Sequence, residues 1–367
     1  MSFLNCGFIG LGLIGGSIAK AIKQSAPGTK ITAFDISKTT LSLAQKEGIA
    51  DVITDQIDEC FTDCDYLFLC APVQKNDGNL SKVKTIIQNS DCLLTDVGSV
   101  KTAIHDAVHD AGLDHRFIGG HPMAGSERTG YANSKASLLE NAYYILTPTD
   151  SVSPRILEAY RSLVSGMGAI PLVMDYQKHD YITAAVSHLP HVIAASLVNL
   201  VHDSDSREGI MKMIAAGGFK DITRIASSSA PMWQQICLSN RENISVLLSH
   251  YINALKTFQA YLEHGDGNAL YEQFESARVY RDSFIDASSG PIKHAHGIYV
   301  DIADRAGSLA RVTALLAENN LNIKNLGITH NRESEYGVLK LEFYNEHAMA
   351  AAAGLLSQSG FPVTIRP

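Results

Sequence analysis

His121 stands in a setting that suits proton transfer. It opens the polar segment HPMAGSE, which ends with Ser126 and Glu127, and Pro122 restricts the residue before it to extended conformations. An imidazole held in this way could accept a proton from a hydroxyl group as hydride leaves the same carbon. Spacing alone leaves an incidental loop histidine equally open.

Two other segments carry groups that could bind a substrate. In DVGSVK, Ser99 either caps the helix that follows or hydrogen-bonds a substrate hydroxyl, and capping is the simpler function. In FKDITR, Asp221 and Arg224 lie about one helical turn apart. They form either an exposed ion pair worth about 0.3 kcal/mol or a guanidinium fork that Asp221 orients toward a carboxylate. The spacing favours neither.

His188 and His191 add two imidazoles in the segment SHLPH. A zinc site needs at least a third protein ligand, and none stands near these two in the sequence. The six cysteines also lack the paired spacing of zinc-binding motifs. We therefore expect core or substrate contacts for both histidines, and no metal.

A glycine-rich turn with Gly10, Gly12 and Gly15 follows the first predicted strand and opens a predicted helix. In that context the first glycine permits a tight turn, the second lets the backbone approach a pyrophosphate, and the third lets the helix pack on the strand. Asp35 ends the next predicted strand, where a carboxylate accepts hydrogen bonds from ribose hydroxyls and repels a 2′-phosphate. The sequence therefore predicts NAD as the cofactor. The predicted cofactor contacts are Gly10, Leu11, Gly12, Leu13, Ile14, Gly15 and Asp35.

The elements around these residues predict an α/β protein of three domains. Over residues 1–172, short β-branched runs alternate with helical patterns, which is typical of a Rossmann-type doubly wound parallel sheet. Ser99 and His121 then follow predicted strands, at the edge where open α/β sheets bind ligands. Residues 173–290 predict an all-helical domain. Its helices are apolar around most of their circumference, which predicts burial in a homodimer.

Residues 297–367 change period again and predict a third domain. Strand and helix patterns follow one another in the order βαββαβ, which is that of a ferredoxin-like unit. Serine, glycine and proline at residues 288–291 indicate a linker before it.

The composition is that of a globular protein and excludes several kinds of partner. Of 367 residues, 46% are hydrophobic and 19% are charged, and 30 lysines and arginines against 38 aspartates and glutamates give a net charge of −8. An acidic chain binds nucleic acids and anionic membranes poorly. No apolar run reaches the roughly 18 residues of a membrane span, and no signal peptide is indicated, so we expect a cytoplasmic protein.

The chain resembles the prephenate dehydrogenase family of tyrosine biosynthesis. The resemblance lies in GFIGLGLIGGS, Asp35, DVGSVK, GGHPMAGSE, SHLPH and FKDITRIA, in this order over about residues 5–290. HPMAGSE and DITRIA are its specific parts. The tail resembles an ACT regulatory domain, although Ala306 stands where many such domains have proline.

This resemblance implies NAD-dependent oxidative decarboxylation of prephenate to 4-hydroxyphenylpyruvate. His121 would draw the proton from the ring 4-hydroxyl, and Ser99 would position that hydroxyl. Arg224, steadied by Asp221, would bind a substrate carboxylate. With an ordinary imidazole pKa, kcat would fall as the pH drops through about 6.5. The other implied substrate contacts are His188, His191, Ser126 and Glu127.

For the tail, the resemblance implies pairing across subunits and binding of an aromatic amino acid effector, tyrosine. A module that serves dimerisation alone is the alternative. The implied effector contacts are Asp304, Gly307, Ser308, Leu309, Asn322 and Ile323.

Three other functions are weighed against this one. An arogenate (cyclohexadienyl) dehydrogenase uses a substrate that has an amino group where the side chain of prephenate has a keto oxygen, and nothing in the sequence separates the two substrates. A dehydrogenase of 3-hydroxy acids is disfavoured because its lysine-centred motif is not evident. A non-catalytic NAD-binding regulator that senses an amino acid would belong to another class of protein.

Overall fold

A computed structural model describes most of the chain. The described residues are 4–71, 73–87, 90–125, 128–287, 296–303, 305–330 and 336–364. The chain divides into two compact units, Met1–Gln259 and Ala260–Pro367. Ser126, Glu127, Asp304 and the linker at residues 288–291 lie outside the described residues.

The first unit is built on an eight-stranded sheet. Its strands are β1 (Asn5–Ile9), β2 (Lys30–Phe34), β3 (Val52–Thr54), β4 (Tyr66–Leu69), β5 (Leu93–Asp96), β6 (Phe117–Pro122), β7 (Tyr143–Pro148) and β8 (Ile170–Val173). They lie side by side in the order β3-β2-β1-β4-β5-β6-β7-β8. Neighbouring strands are parallel except β6 and β7, so the predicted Rossmann-type sheet is confirmed, with β3 as a strand that the sequence did not predict.

The antiparallel pair β6 and β7 departs from the predicted all-parallel sheet. A parallel neighbour needs a long crossover connection, usually a helix. The described part of the connection between these strands holds two short 3-10 turns, Tyr131–Asn133 and Ala136–Leu138. The chain therefore reverses soon after His121 and pairs with the strand it has just left.

Helices cover both faces of this sheet. They are α1 (Leu13–Ser25), α2 (Lys38–Lys46), α3 (Val73–Ile87), α4 (Thr102–Asp110) and α5 (Pro154–Gly166). Apolar side chains of α1, α2 and α5 pack on one face, and those of α3 and α4 pack on the other. Ser37 caps α2 by accepting a hydrogen bond from the backbone of Thr40, as its sequence position predicts.

The predicted all-helical region follows the sheet. Its helices are α6 (Tyr176–Thr183), α7 (Leu189–Ser204), α8 (Ile210–Ile214), α9 (Gly217–Thr223), α10 (Ala230–Ser239) and α11 (Arg241–His264). A π turn, Ala184–His188, joins α6 to α7. Pro190 stands just after this turn, where it lacks a backbone donor and crowds the carbonyl four residues earlier, which explains why the regular α-helix is interrupted here.

The continuous helical stretch Tyr176–Ser204 is long and apolar enough to cross a membrane by length and composition. It carries the buried polar residues His179, Asp180 and His188, all of which bond to other elements of the first unit. Such contacts are typical of a helix in a globular domain. The helical region also exposes large apolar side chains, as subunit interfaces do, among them Val186, Leu200, Met213, Ile214, Ile222 and Leu238.

The second unit contains α12 (Gly267–Ala287) and a four-stranded antiparallel sheet. The elements after α12 are β9 (His296–Ala303), α13 (Ser308–Glu318), β10 (Ile323–His330), β11 (Tyr336–Phe343), α14 (Glu346–Gln358) and β12 (Val363–Thr364). The strand order is β10-β11-β9-β12, and both of its last two helices pack on the sheet. The predicted βαββαβ unit is confirmed.

Candidate active site

His121 lies at the carboxyl end of β6 and begins a chain of three hydrogen-bonded side chains. Its Nδ1 atom is 2.8 Å from Nε2 of His179 on α6. Nδ1 of His179 is in turn 2.8 Å from Oδ1 of Asp180. Because both α6 residues are buried, this chain connects the edge of the sheet with the interior of the helical region.

Asp180 is held by four donors. Besides His179, it accepts hydrogen bonds from the backbone N–H groups of Lys101 and Thr102, each at 2.8 Å, and from the Thr102 hydroxyl at 2.6 Å. Asp180 therefore caps α4, the helix that Ser99 could have capped. Burial alone would raise the pKa of Asp180, but these hydrogen bonds hold it below its ordinary value. Asp180 is ionised at neutral pH.

An ionised Asp180 fixes the tautomers of both imidazoles. A carboxylate only accepts, so Nδ1 of His179 carries the proton and its Nε2 accepts. Nδ1 of His121 then donates to that Nε2, which leaves the lone pair of His121 on its own Nε2. The hydrogen-bond chain thus makes Nε2 the basic atom of His121.

The pKa of His121 lies well below its ordinary value. Burial is the main cause, and interactions with His179, Lys101 and His188 lower the pKa further. The value near 6.5 expected from the sequence is therefore corrected downward. His121 is a neutral proton acceptor throughout the physiological pH range.

A second group of rings lies beside this chain. Nδ2 of Asn240 is 2.7 Å from the carbonyl oxygen of Asp180 and 3.2 Å from Nδ1 of His188. His191 stacks on Trp233, with ring centroids 3.6 Å apart, and His188 meets the same indole edge to face at 6.0 Å. Nε1 of Trp233 is buried and has no hydrogen-bond partner among the described residues.

Arg224 brings a cation to this group of rings. It opens the 3-10 turn Arg224–Ser227 that follows α9, and both Arg224 and Asp221 are exposed. Burial lowers the pKa of His191, and the nearby guanidinium of Arg224 lowers it further. His191 also hydrogen-bonds the backbone of Ile225, the residue after Arg224, so the turn that carries the cation lies against the stacked ring pair.

Ser99 lies in the loop between β5 and α4. At the end of β5, Oδ1 of Asp96 accepts a hydrogen bond from the backbone N–H of Gly120, at 3.1 Å. This bond places the loop that carries Ser99 next to the residue that precedes His121. The structure therefore brings Ser99 and His121 to one edge of the sheet, as the sequence predicts.

The glycine turn has the shape that a dinucleotide needs. Gly10 has φ +100°, and a Cβ at Gly15 would lie 2.5 Å from the Gly10 carbonyl oxygen, so neither position accommodates a side chain. At Gly12, no described atom lies within 4 Å of where a Cβ would be, which leaves room for a phosphate at the uncapped N-terminus of α1.

Asp35 is fixed directly after β2. Its Oδ2 accepts from the backbone N–H of Leu11 and its Oδ1 from that of Ser37, each at 2.8 Å. These bonds join the carboxylate to the glycine turn and leave lone pairs for ribose hydroxyls. The residues present therefore fit NAD.

Four residues of this site were missed in the sequence: His179, Asp180, Asn240 and Trp233. No apolar pattern marked the first two in the sequence, because the polar residues Gln177 and Lys178 stand directly before them. Among the described residues, no group of three or more histidines, cysteines, aspartates or glutamates could hold a metal ion.

Two family models match the chain. "Prephenate dehydrogenase, nucleotide-binding domain" matches residues 18–172, and "Prephenate dehydrogenase, dimerization domain" matches residues 175–276. The second match assigns a dimerisation function to the region whose helices expose large apolar side chains.

Similar proteins cover most of the chain. Prephenate dehydrogenase of Bacillus subtilis is 38% identical over 339 residues, which cover 92% of this chain and 91% of that protein. Cyclohexadienyl dehydrogenase of Zymomonas mobilis is 32% identical over 281 residues, covering 76% and 95%. The crystal structure of prephenate dehydrogenase from Aquifex aeolicus in complex with hydroxyphenyl propionate and NAD+ has a TM-score of 0.73 and 32% identity, covering 77% of this chain and 99% of that chain.

These comparisons confirm the predicted fold class and the predicted class of NAD-dependent dehydrogenase. Together with the hydrogen-bonded imidazole at the edge of a dinucleotide-binding sheet, they show that the chain belongs to the prephenate dehydrogenase family.

Proposed function

We propose that this protein converts prephenate to 4-hydroxyphenylpyruvate by NAD-dependent oxidative decarboxylation. The observation that supports the proposal is the chain of hydrogen bonds His121–His179–Asp180. It presents a neutral imidazole of fixed tautomer at the sheet edge where a substrate hydroxyl must lose its proton. Bound at the glycine turn, NAD would supply the hydride acceptor.

His121 accepts the proton of the ring 4-hydroxyl at Nε2. The imidazolium that forms is stabilised because its Nδ1–H donates to His179, which donates to the Asp180 carboxylate. Ser99, from the neighbouring loop, hydrogen-bonds the same hydroxyl and orients it. As carbon dioxide leaves, its bonding electron pair makes the ring aromatic and the ring oxygen a phenolate, which takes the proton back from the His121 imidazolium to give the phenol. The remaining residues have only to orient the substrate.

Arg224 binds a substrate carboxylate beside the rings of His191 and Trp233. Asp221 lies one helical turn before it, in a position to orient the guanidinium. A planar fork of donors matches a carboxylate, and charged hydrogen bonds of this kind contribute more than neutral ones.

Replacing Arg224 by alanine is expected to raise KM for prephenate by about 10- to 100-fold, since a hydrogen bond to a charged group contributes about 1.5 to 3 kcal/mol. kcat should change far less, because the contact exists before and during the reaction. Steady-state kinetics measures both. Arg278→Ala removes an exposed arginine that pairs with Glu275 and Asp282, and serves as the control. Equal losses in kcat and kcat/KM would mean that Arg224 acts only in the transition state.

Turnover separates the possible substrates. We expect NADH to form with prephenate; formation with arogenate as well would indicate a cyclohexadienyl dehydrogenase, like the Zymomonas mobilis relative. NADH with arogenate alone, or with neither substrate, would contradict the proposal. The absorbance of NADH follows each reaction.

The tail is proposed to bind tyrosine and to lower activity when it is bound. Support comes from its βαββαβ fold and from Gly307, whose left-handed backbone opens the N-terminus of α13 beside Ser308 and Leu309. Ile323 begins β10 and Asn322 immediately precedes it, and Asp304 lies outside the described residues. Coupling between two such sites is typically about 1 to 3 kcal/mol. The same turnover assay, run with added tyrosine, checks this: unchanged rates would leave the tail a dimerisation module.

Assembly as a homodimer is proposed for the helical region, in agreement with the dimerization-domain match. The cytoplasmic location that the sequence predicts stays a prediction.

A further inference from the structure

Asp96 and Lys101 form an ion pair that the reaction described above does not use. They lie at the end of β5 and just before α4, and both side chains are buried, at 1% and 0% exposure. A buried ion pair is costly to desolvate and is weak evidence for a stabilising role. Its contacts therefore indicate what else it does.

The pair holds the peptide groups on both sides of Gly120. Nζ of Lys101 donates to the Gly120 carbonyl at 2.8 Å, and Oδ1 of Asp96 accepts from the Gly120 N–H at 3.1 Å. The regular pairing of β5 with β6 ends two residues earlier, where Thr95 lies opposite Ile118. Beyond the end of the β5–β6 ladder, these two side chains thus bond the backbone of β6 where a longer β5 would otherwise do so. The residue that they bond, Gly120, immediately precedes His121.

Lys101 also holds the other end of the hydrogen-bond chain. Its backbone N–H donates to Oδ1 of Asp180 at 2.8 Å, the same oxygen that faces His179. One residue therefore contacts the peptide before His121 through its ammonium group and contacts Asp180 through its backbone. The contact at Asp180 does not depend on the Lys101 side chain, so a substitution at this position tests the side-chain contacts alone.

We propose that Asp96 and Lys101 are positioning residues for His121: through their hydrogen bonds to Gly120 they fix the peptide that carries the imidazole. The inference rests on the proposed function of His121 as proton acceptor. Neither residue touches the substrate.

The charges around His121 give this proposal a signature in pH. The groups that interact with it are Lys101, His179 of α6 and His188 of the π turn, and all three lower its pKa. Burial lowers the pKa of His188 to about 4, so between pH 5 and 8 the charge that a substitution at Lys101 removes is the one under test. In Lys101→Met, the carboxylate of Asp96 loses its counter-charge and favours the imidazolium. In Asp96→Asn, no such carboxylate remains. The two variants break the same ion pair but have opposite effects on the charge near His121.

The experiment measures kcat and KM for prephenate between about pH 5 and 8 in the full-length variants Lys101→Met and Asp96→Asn. We expect kcat to fall by about 10²-fold in both, the cost of a 1 Å misplacement, with a smaller change in KM. In Lys101→Met the acid limb of the kcat profile should also move to higher pH, because protonated His121 cannot accept a proton. In Asp96→Asn it should not move upward.

Tyr160→Phe is the control for a purely structural effect. Tyr160 is buried on α5, hydrogen-bonds Thr95 and Tyr144, and lies outside the site, so its variant should lose stability but keep kcat and the acid limb. Thermal melting shows which variants fold. If Lys101→Met does not fold, Asp96→Asn decides the positioning claim by its kcat, and His121 is titrated by NMR in wild type and in Asp96→Asn, where its pKa should not rise.

Several outcomes would overturn the proposal. They are a near-normal kcat in both variants, an unchanged acid limb in folded Lys101→Met, or an upward shift in Asp96→Asn. Wild-type turnover is measured in the same series, so a failure of the proposed function shows itself as an inactive wild type. A failure of this inference leaves the wild type active.

Discussion

His121→Asn is expected to lower kcat by about 10² to 10⁴ while KM for prephenate changes little, the range for loss of a general base. Asparagine can still donate to Nε2 of His179, so the surrounding hydrogen bonds are retained. What it lacks is a basic atom on the substrate side. Single-turnover and steady-state measurements of NADH formation give kcat, and an unchanged kcat would remove His121 from the chemistry.

The pH profile of the wild type adds a second check on His121. Since burial holds its pKa well below the ordinary value, kcat should stay level from about pH 8 to below 6.5 and fall only at more acidic pH. A fall centred near 6.5 would mean that the imidazole is more exposed to solvent than the structure shows. His105→Asn is the matched control and should leave the pH profile unchanged. His105 is also buried and hydrogen-bonded, but it does not belong to the hydrogen-bond chain His121–His179–Asp180.

Asp180→Asn is expected to lower kcat by a similar factor, about 10² to 10⁴, through the tautomers of two histidines. If the amide oxygen keeps the Thr102 donors, the amide nitrogen faces His179 and the Lys101 N–H. His179 must then accept at Nδ1 and carry its proton on Nε2. His121 must accept at Nδ1 in turn, and its Nε2 becomes protonated and unable to take the substrate proton.

The same substitution should also lower the free energy of unfolding by about 1 to 3 kcal/mol, because a backbone donor at α4 loses its acceptor. Asp51→Asn separates the two effects. Asp51 likewise accepts from a backbone N–H, that of Ile31, and from Lys23, but it lies far from His121 in the sheet order. It should lose stability and keep kcat. A normal kcat in folded Asp180→Asn would contradict the assignment of tautomers.

The parts of the site that follow local rules could be predicted from the sequence. The glycine turn, Asp35 and the cap at Ser37 depend on neighbours within a few dozen residues, and their spacing is set by strand and helix geometry. His121 was found because proline and glycine mark its loop. These residues occupy the predicted places.

The parts that depend on contacts between distant segments were missed. His179 lies 58 residues from His121 in the chain and bonds to it only because α6 packs beside the end of β6. No periodic pattern records such a pairing. Two other features depend on distant contacts in the same way. The antiparallel pairing of β6 and β7 follows from a connection without a crossover helix, and the low pKa of His121 follows from burial by several elements at once.

The five-residue π turn before α7 sets the direction in which the side chains after it point relative to those of α6. Nine positions of regular helix make about two and a half turns, so His179 and His188 would otherwise point to opposite sides. A π turn winds more widely than an α-helix, so each of its residues rotates the chain less, and over five residues the rotation falls short by roughly one α-helical residue, about 100°. In this arrangement the side chain of Asn240 bonds both Nδ1 of His188 and the carbonyl oxygen of Asp180. If one residue between positions 184 and 188 were removed, a regular α-helix could take the place of the π turn while the downstream helix, His191 included, kept its phase, so the turn accommodates one additional residue within the helical stretch.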